Sequence, residues 1–222
     1  MSGRERILGR VREALSLASP GGRRSVAGLP DMADHRRVLP PVGSSTEEQF
    51  ALFAKNALEL KATFTTVGNL AELNEKLREL CEAEKWKRVA AQRGDLAPGA
   101  AQSLGLPVLF TNDGCDQHEL EQCDAGVSEC DALVAQTGSV LVTSRSAGGR
   151  ALSVLPPHHV VVARREQMVP DLPRAFALIK AKYGANYPSM ISFITGPSRT
   201  GDIERILVLG AHGPKKLTIL CL

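Results

Sequence analysis

Short runs rich in β-branched and other apolar residues recur along this chain, and stretches of helical periodicity separate most of them. ATFTTV (62–67), WKRVAA (86–91), PVLF (107–110), SVLVT (139–143), HHVVVA (158–163), MISFI (190–194) and LTILCL (217–222) read as strands. Between them lie helical patterns. Thr46-Glu47-Glu48-Gln49 has the spacing of a capping box and precedes Phe50, Phe53, Ala54, Ala57 and Leu58 on one face. Asn69 is placed to cap a helix whose face carries Leu70, Leu73, Leu77, Leu80 and Cys81. A short helical segment leads to Leu104. Ser128 to Asp131 resembles a second capping box, opening a helix that ends near Thr137-Gly138. Pro170 to Tyr183 reads as a helix with Leu172, Phe176 and Ile179 inward, and Ile203, Ile206, Leu207 and Gly210 mark a last helix opened by Thr200. Strands alternating with helices in this way indicate βαβ units. The expectation is an α/β fold: a single three-layer domain with a mostly parallel sheet.

Composition supports layered packing. Apolar residues make up 43% of the 222, but aromatics only 4%, so the core must rest on Leu, Val, Ile and Ala. The domain is expected to span residues 46–222. Residues 1–45 read as a basic N-terminal arm. They hold eight Arg against four acidic residues, whereas the remainder holds 19 basic and 20 acidic residues. Within the arm, Ile7, Val11 and Leu15 recur at helical spacing over residues 3–17. Such a helix either packs on its own domain or docks a partner. Residues 19–45, with four Pro and four Gly, read as a linker.

Several function classes lose support. A net charge of +3 with no DNA-reading or RNA-binding signature argues against nucleic acid. No apolar stretch reaches the length that spans a bilayer, and the first residues lack a secretory apolar region. With five cysteines in no paired spacing, the expectation is a reduced, cytoplasmic protein. There is no GxGxxG, Walker loop, GxSxG, HExxH or CxxC. The cluster Cys115, His118, Cys123 and Cys130 matches no zinc spacing, so no metal is expected on this chain.

Two polar turns carry the candidate chemistry. Thr137-Gly138-Ser139 opens onto a strand and offers two hydroxyls with exposed backbone N–H groups, an arrangement that binds anions or simply turns a corner. FITGPSRTGDIERI sets Ser198, Arg199 and Thr200 beside Asp202 and Glu204. Arg199 is suited to clamp a carboxylate or phosphate, while the acids equally suit a helix start. His212, in AHGPKK, is placed to titrate near neutrality or to orient a ligand. His158 and His159 open a strand whose alternation should turn one of them inward as a structural histidine. A small anion or a partner is expected in a crevice between the two turns.

ALVAQTGSVLV, RALSVLPPHHVVVA and FITGPSRTGDIERILVLGAHGPKKLTILCL follow one another through roughly residues 125–222. In that order they resemble the lactate utilization protein C family, built on the LUD domain. Gly201 stands where that family most often has Ala. The resemblance implies a fold like that of the sugar-phosphate isomerase and CoA-transferase superfamily. It also implies an accessory role in bacterial oxidation of L-lactate to pyruvate. Two sister proteins would carry the iron–sulfur clusters, and this chain would bind no cofactor. A free-standing isomerase or acyl/CoA transferase is the alternative, for which Glu204 and Glu129 would be the candidate carboxylates.

Overall fold

The computed structural model describes residues 3–16, 41–114, 116–200, 208–209 and 213–222. The chain divides into two units, Met1–Pro40 and Pro41–Leu222. In the first, α1 (Gly3–Ser16) occupies the periodic stretch of the arm.

The second unit opens with α2 (Thr46–Glu59). Its capping box begins one residue earlier than the sequence suggests. Ser45 Oγ accepts from Glu48 N–H at 3.2 Å, and Glu48 Oε2 accepts from Ser45 N–H at 3.1 Å. There follow β1 (Thr63–Thr66), α3 (Leu70–Glu84, capped by Asn69), β2 (Val89–Ala91), α4 (Ala97–Gln102) and β3 (Val108–Phe110). Then come α5 (Gln117–Glu121), β4 (Ala125–Ser128), β5 (Ala132–Val134), β6 (Ser139–Thr143) and β7 (His158–Ala163). The chain ends with β8 (Met168–Val169), α6 (Leu172–Tyr183), β9 (Ile191–Ile194), β10 (Arg199–Thr200), β11 (Val208–Leu209) and β12 (Lys216–Cys221).

Six strands form one sheet in the order β1-β12-β7-β4-β2-β3, and every neighbouring pair is parallel. The α/β expectation is met, and HHVVVA behaves as a central parallel strand should, buried along its whole length. One face of this sheet packs Val160, Val162 and Leu220 against Leu73 and Leu77 of α3 and the alanines of α4. The other face sets Val161, Ala163, Ile219 and Cys221 against Phe50, Phe53 and Ala57 of α2.

A second sheet was not legible in the sequence. It has four strands in the order β8-β5-β6-β9, and β6 is antiparallel to both of its neighbours. Leu133, Val140 and Val142 face the main core, while Ala132, Val134 and Leu141 face Ala175 and Ile179 of α6. The body therefore stacks α3 and α4, the six-stranded sheet, α2 with the four-stranded sheet, and then α6.

The helix expected from Ser128 to Thr137 is replaced by the end of β4, β5 and a turn. An apolar run buried on both sides carries no period that separates helix from strand. Ser128, which imitates a cap, is instead bonded through Oγ to His159 Nε2 at 2.8 Å. The helix expected from Thr200 to Gly210 is corrected at both ends. Thr200 pairs with Val208 and Arg199 with Leu209 in a two-stranded antiparallel ribbon. Residues 201–207 and 210–212 lie outside the described residues.

Candidate functional site

The chain leaving β2 enters α4 on one face of the main sheet, while the chain leaving β4 enters β5 on the other. Adjacent parallel strands whose continuations diverge leave a crevice at their carboxyl ends, the usual ligand position in open α/β sheets. A cleft of about 590 Å3 lies there. Gln92 to Leu96 line it after β2, Glu129 and Cys130 after β4, and Arg164 and Gln167 after β7. Arg145 and Ser146 after β6 and Lys182 and Tyr183 at the end of α6 complete it.

Each wall is fastened by its own polar contacts. Glu129 Oε1 accepts from the N–H groups of Leu96 at 2.7 Å and Ala97 at 3.1 Å, tying the exit of β4 to the start of α4. Gly94 lies so close to this carboxylate that any Cβ there would collide with it. The Asp131 side chain is fully buried; its Oδ1 accepts from Lys182 Nζ and from the Tyr183 hydroxyl, both at 2.6 Å. Tyr183 is also bonded to Thr143 Oγ1 at 3.1 Å. Burial is the largest influence on Asp131 and works to raise its pKa. Hydrogen bonds from Lys182, Ser146 and Tyr183 outweigh it and hold the carboxyl below its ordinary value. Burial would lower the pKa of Lys182, but its bond to Asp131 raises it, so the ammonium stays charged in the cleft.

Four cations therefore line the cleft, Arg93, Arg145, Arg164 and Lys182, against the acids Asp95 and Glu129. Lys182 is neutralised by Asp131 beneath it, and the Arg93 guanidinium sits 4.3 Å from the Phe110 ring centroid. Arg145 lies 5.3 Å from the Tyr183 ring centroid. Among the described residues, neither Arg145 nor Arg164 takes part in an ion pair. Such an arrangement can bind and orient an anion, and Glu129 and Tyr183 add oxygen atoms able to exchange hydrogen bonds with it.

Of the residues singled out in the sequence, Glu129 lines this cleft, whereas Thr137, Gly138, Ser139, Ser198, Arg199 and Thr200 are not part of its lining. Ser139 is buried; its Oγ donates to Thr137 Oγ1 and is bonded to Thr195 Oγ1, both at 2.8 Å. Gly138 has φ 63° and rests on Asn56 of α2, whose amide donates to the carbonyls of Ala135 and Gln136. The two polar turns thus touch at Ser139 and Thr195, and their hydroxyls satisfy one another. Ser198 lines a second cavity of about 590 Å3 with Thr195, Gly196 and Arg150, and Thr137 to Ser139 are not part of its lining. Ser198 N–H donates to Pro214 O at 2.8 Å, beside the entry to β12. Arg199 and Thr200 form β10. Asp202, Glu204 and His212 lie outside the described residues.

His158 and His159 are both buried, bonded to Thr218 and Ser128 respectively. Burial lowers both imidazoles to a pKa of about 4, so they are neutral structural residues. Among the described residues no cluster of three or more His, Cys, Asp or Glu is placed to hold a metal ion, and no helix is long and apolar enough to cross a membrane.

Apart from Glu129, reading along the chain missed the charged cleft residues because they lie one by one on separate loops. Only the strand ends hint at them: Gln92-Arg93, Glu129 and Arg164 each follow directly on a buried strand.

A six-stranded parallel sheet with helices on its faces and a cationic crevice at its carboxyl ends defines an α/β protein of the open-sheet type. The sequence profile of the LUD domain matches residues 50–222, and the chain belongs to that family. Similar proteins include a lactate utilization protein C from Geobacillus kaustophilus, 40% identical over 98 residues. That alignment covers 43% of this chain and 41% of the relative, so it spans less than half of each. Another lactate utilization protein C, from Anoxybacillus flavithermus, is 29% identical over 184 residues, covering 80% of this chain and 82% of its own length. A crystal structure of a DUF162 family protein from Deinococcus radiodurans shares the fold. Its TM-score is 0.64 at 23% identity, covering 81% of this chain and 99% of that one.

Proposed function

We propose that this chain serves lactate utilization as an anion-binding accessory subunit, with its ligand held in the cleft at the carboxyl ends of β2, β4 and β7. Support for the process comes from relatives named lactate utilization protein C. The single observation that carries the binding role is the pair Arg145 and Arg164, two guanidinium groups that line one cleft and have no ion-pair partner among the described residues. Its place would be cytoplasmic, beside iron–sulfur subunits that pass the electrons of L-lactate oxidation to pyruvate, while this chain holds no cluster.

The test is titration calorimetry with small carboxylates and phosphate on the full chain and on Arg145→Ala, Arg164→Ala and Arg199→Ala, together with growth on lactate. Loss of binding and growth in at least one of the first two variants, with Arg199→Ala unaffected, is the expected result. Loss confined to Arg199→Ala would move the ligand to the loop at Ser198, Arg199 and Thr200. If no variant altered either readout, the proposal would fail.

A second reading has one observation in its favour, the position of Glu129 in the cleft. As an acyl/CoA transferase the chain would use that carboxylate to attack a thioester carbonyl, releasing the thiolate and forming an acyl-enzyme anhydride. Hydroxylamine trapping of Glu129 after incubation with CoA esters supports this reading. An unmodified Glu129 with a range of esters removes it.

A further inference from the structure

We propose that the cleft is shaped for a ligand larger than a three-carbon acid, one that carries at least two separated anionic groups and a hydrogen-bond donor. The inference rests on the anion-binding reading above and specifies what the anion is.

Size is the first observation. At about 590 Å3 the cleft falls among sites that enclose ligands of drug or cofactor dimensions, typically about 300–1,000 Å3. A lactate or pyruvate molecule would leave most of it to water.

Placement of charge is the second. Arg145 is carried on the loop that leaves the four-stranded sheet, and Arg164 on the end of β7 in the main sheet. Lys182 stands on α6 with Asp131 as its counter-ion, and Arg93 stands after β2 against Phe110. These two guanidinium groups, which have no ion-pair partner among the described residues, are thus held by different sheets. One small monoanion has a single carboxylate to offer them, whereas a two-ended anion can engage each with its own charged group.

Buried polarity is the third. Gln92 lines the same cleft and is 3% exposed, and among the described residues its Oε1 has no hydrogen-bond partner. Buried acceptors are nearly always satisfied, so a hydroxyl or amide on the ligand is the natural donor, through a shift that lets the two groups meet.

A polycarboxylate and a phosphorylated metabolite share this chemistry, so both are used as probes. Citrate, ADP, L-lactate and pyruvate are titrated into the full chain by calorimetry at constant salt. Citrate or ADP is expected to bind at least about tenfold more tightly than either three-carbon acid. Arg145→Ala and Arg164→Ala should each weaken the better probe by about tenfold or more, as expected for a lost charge-assisted hydrogen bond. Lactate binding should suffer appreciably from only one of the two substitutions. Preference for citrate identifies a polycarboxylate, and preference for ADP a phosphorylated ligand.

If L-lactate or pyruvate binds as tightly as both larger probes, the inference is overturned while the anion-binding reading stands. If none of the four binds to a chain with an intact cooperative thermal transition, both fall. Arg145→Lys guards against misfolding, because retaining the charge at that position should restore part of the affinity of the better probe.

Discussion

Asp131 is the residue on which the cleft wall most depends. Its carboxylate is wholly buried and holds both Lys182 and Tyr183, so Asp131→Ala strands a hydroxyl and a lysine that lose their shared acceptor. Lys182 is about half exposed and can turn to water, which limits the cost. Urea unfolding should therefore show a loss of about 2 kcal/mol, and anion binding in the cleft should weaken with it. Gly138 offers a sharper contrast. At φ 63° an added Cβ would stand 2.8 Å from Asn56 Cβ and 3.0 Å from Ala57 N, so strain and collision act together. Gly149 has φ 101° but an open site. Gly138→Ala is expected to cost about 2 kcal/mol or more, and Gly149→Ala about 1 kcal/mol, by the same denaturant measurement. The sequence marks Gly138 as a turn residue, but that the turn rests on α2 is visible only in the fold.

Among the elements, α6 shows how a correct periodicity still leaves the buried face open. The pattern from Pro170 to Tyr183 gives the helix, and Asp171 caps it by accepting from Arg174 N–H at 2.8 Å. Leu172, Phe176 and Ile179 were expected inward. Ala175, Ile179 and Tyr183 are the buried residues, and Phe176 is 57% exposed, resting at 5.3 Å on Phe193. The helix turns its small and polar-tipped residues to the second sheet because Tyr183 must reach Asp131. Ile179→Ala should accordingly cost about 2–4 kcal/mol and Phe176→Ala under about 1 kcal/mol, read from chemical denaturation midpoints. A reversal of that order would mean that α6 packs by its other face.

For the whole body, two imidazoles set the acid limb of stability. His158 and His159 fall from the ordinary 6.5 to about 4, mainly through burial. Between those values the unfolded chain takes up protons that the folded chain refuses. Stability is therefore full above about pH 6.5 and declines as pH falls toward 4, by up to about 1.4 kcal/mol per pH unit for each histidine. Unfolding free energies from pH 7.5 to 4.5 test this, and His159→Gln should flatten the slope. The sequence by itself determined the α/β class. Seven of its apolar runs became strands, because local β propensity, flanking turns and capping residues such as Asn69 act over a few neighbours. It also placed His158 and His159 on a buried strand. Only the tertiary structure decided that Ala132–Val134 is a strand, since that run is apolar on both sides and carries no period. The same holds for the ribbon Arg199–Thr200 with Val208–Leu209, whose pairing is made across residues distant in the local pattern. The cleft was decided there too. Gln92, Glu129, Arg145, Arg164 and Lys182 have nothing in common along the chain. They meet because parallel strands align their carboxyl ends, and β2 and β4 send their continuations to opposite faces.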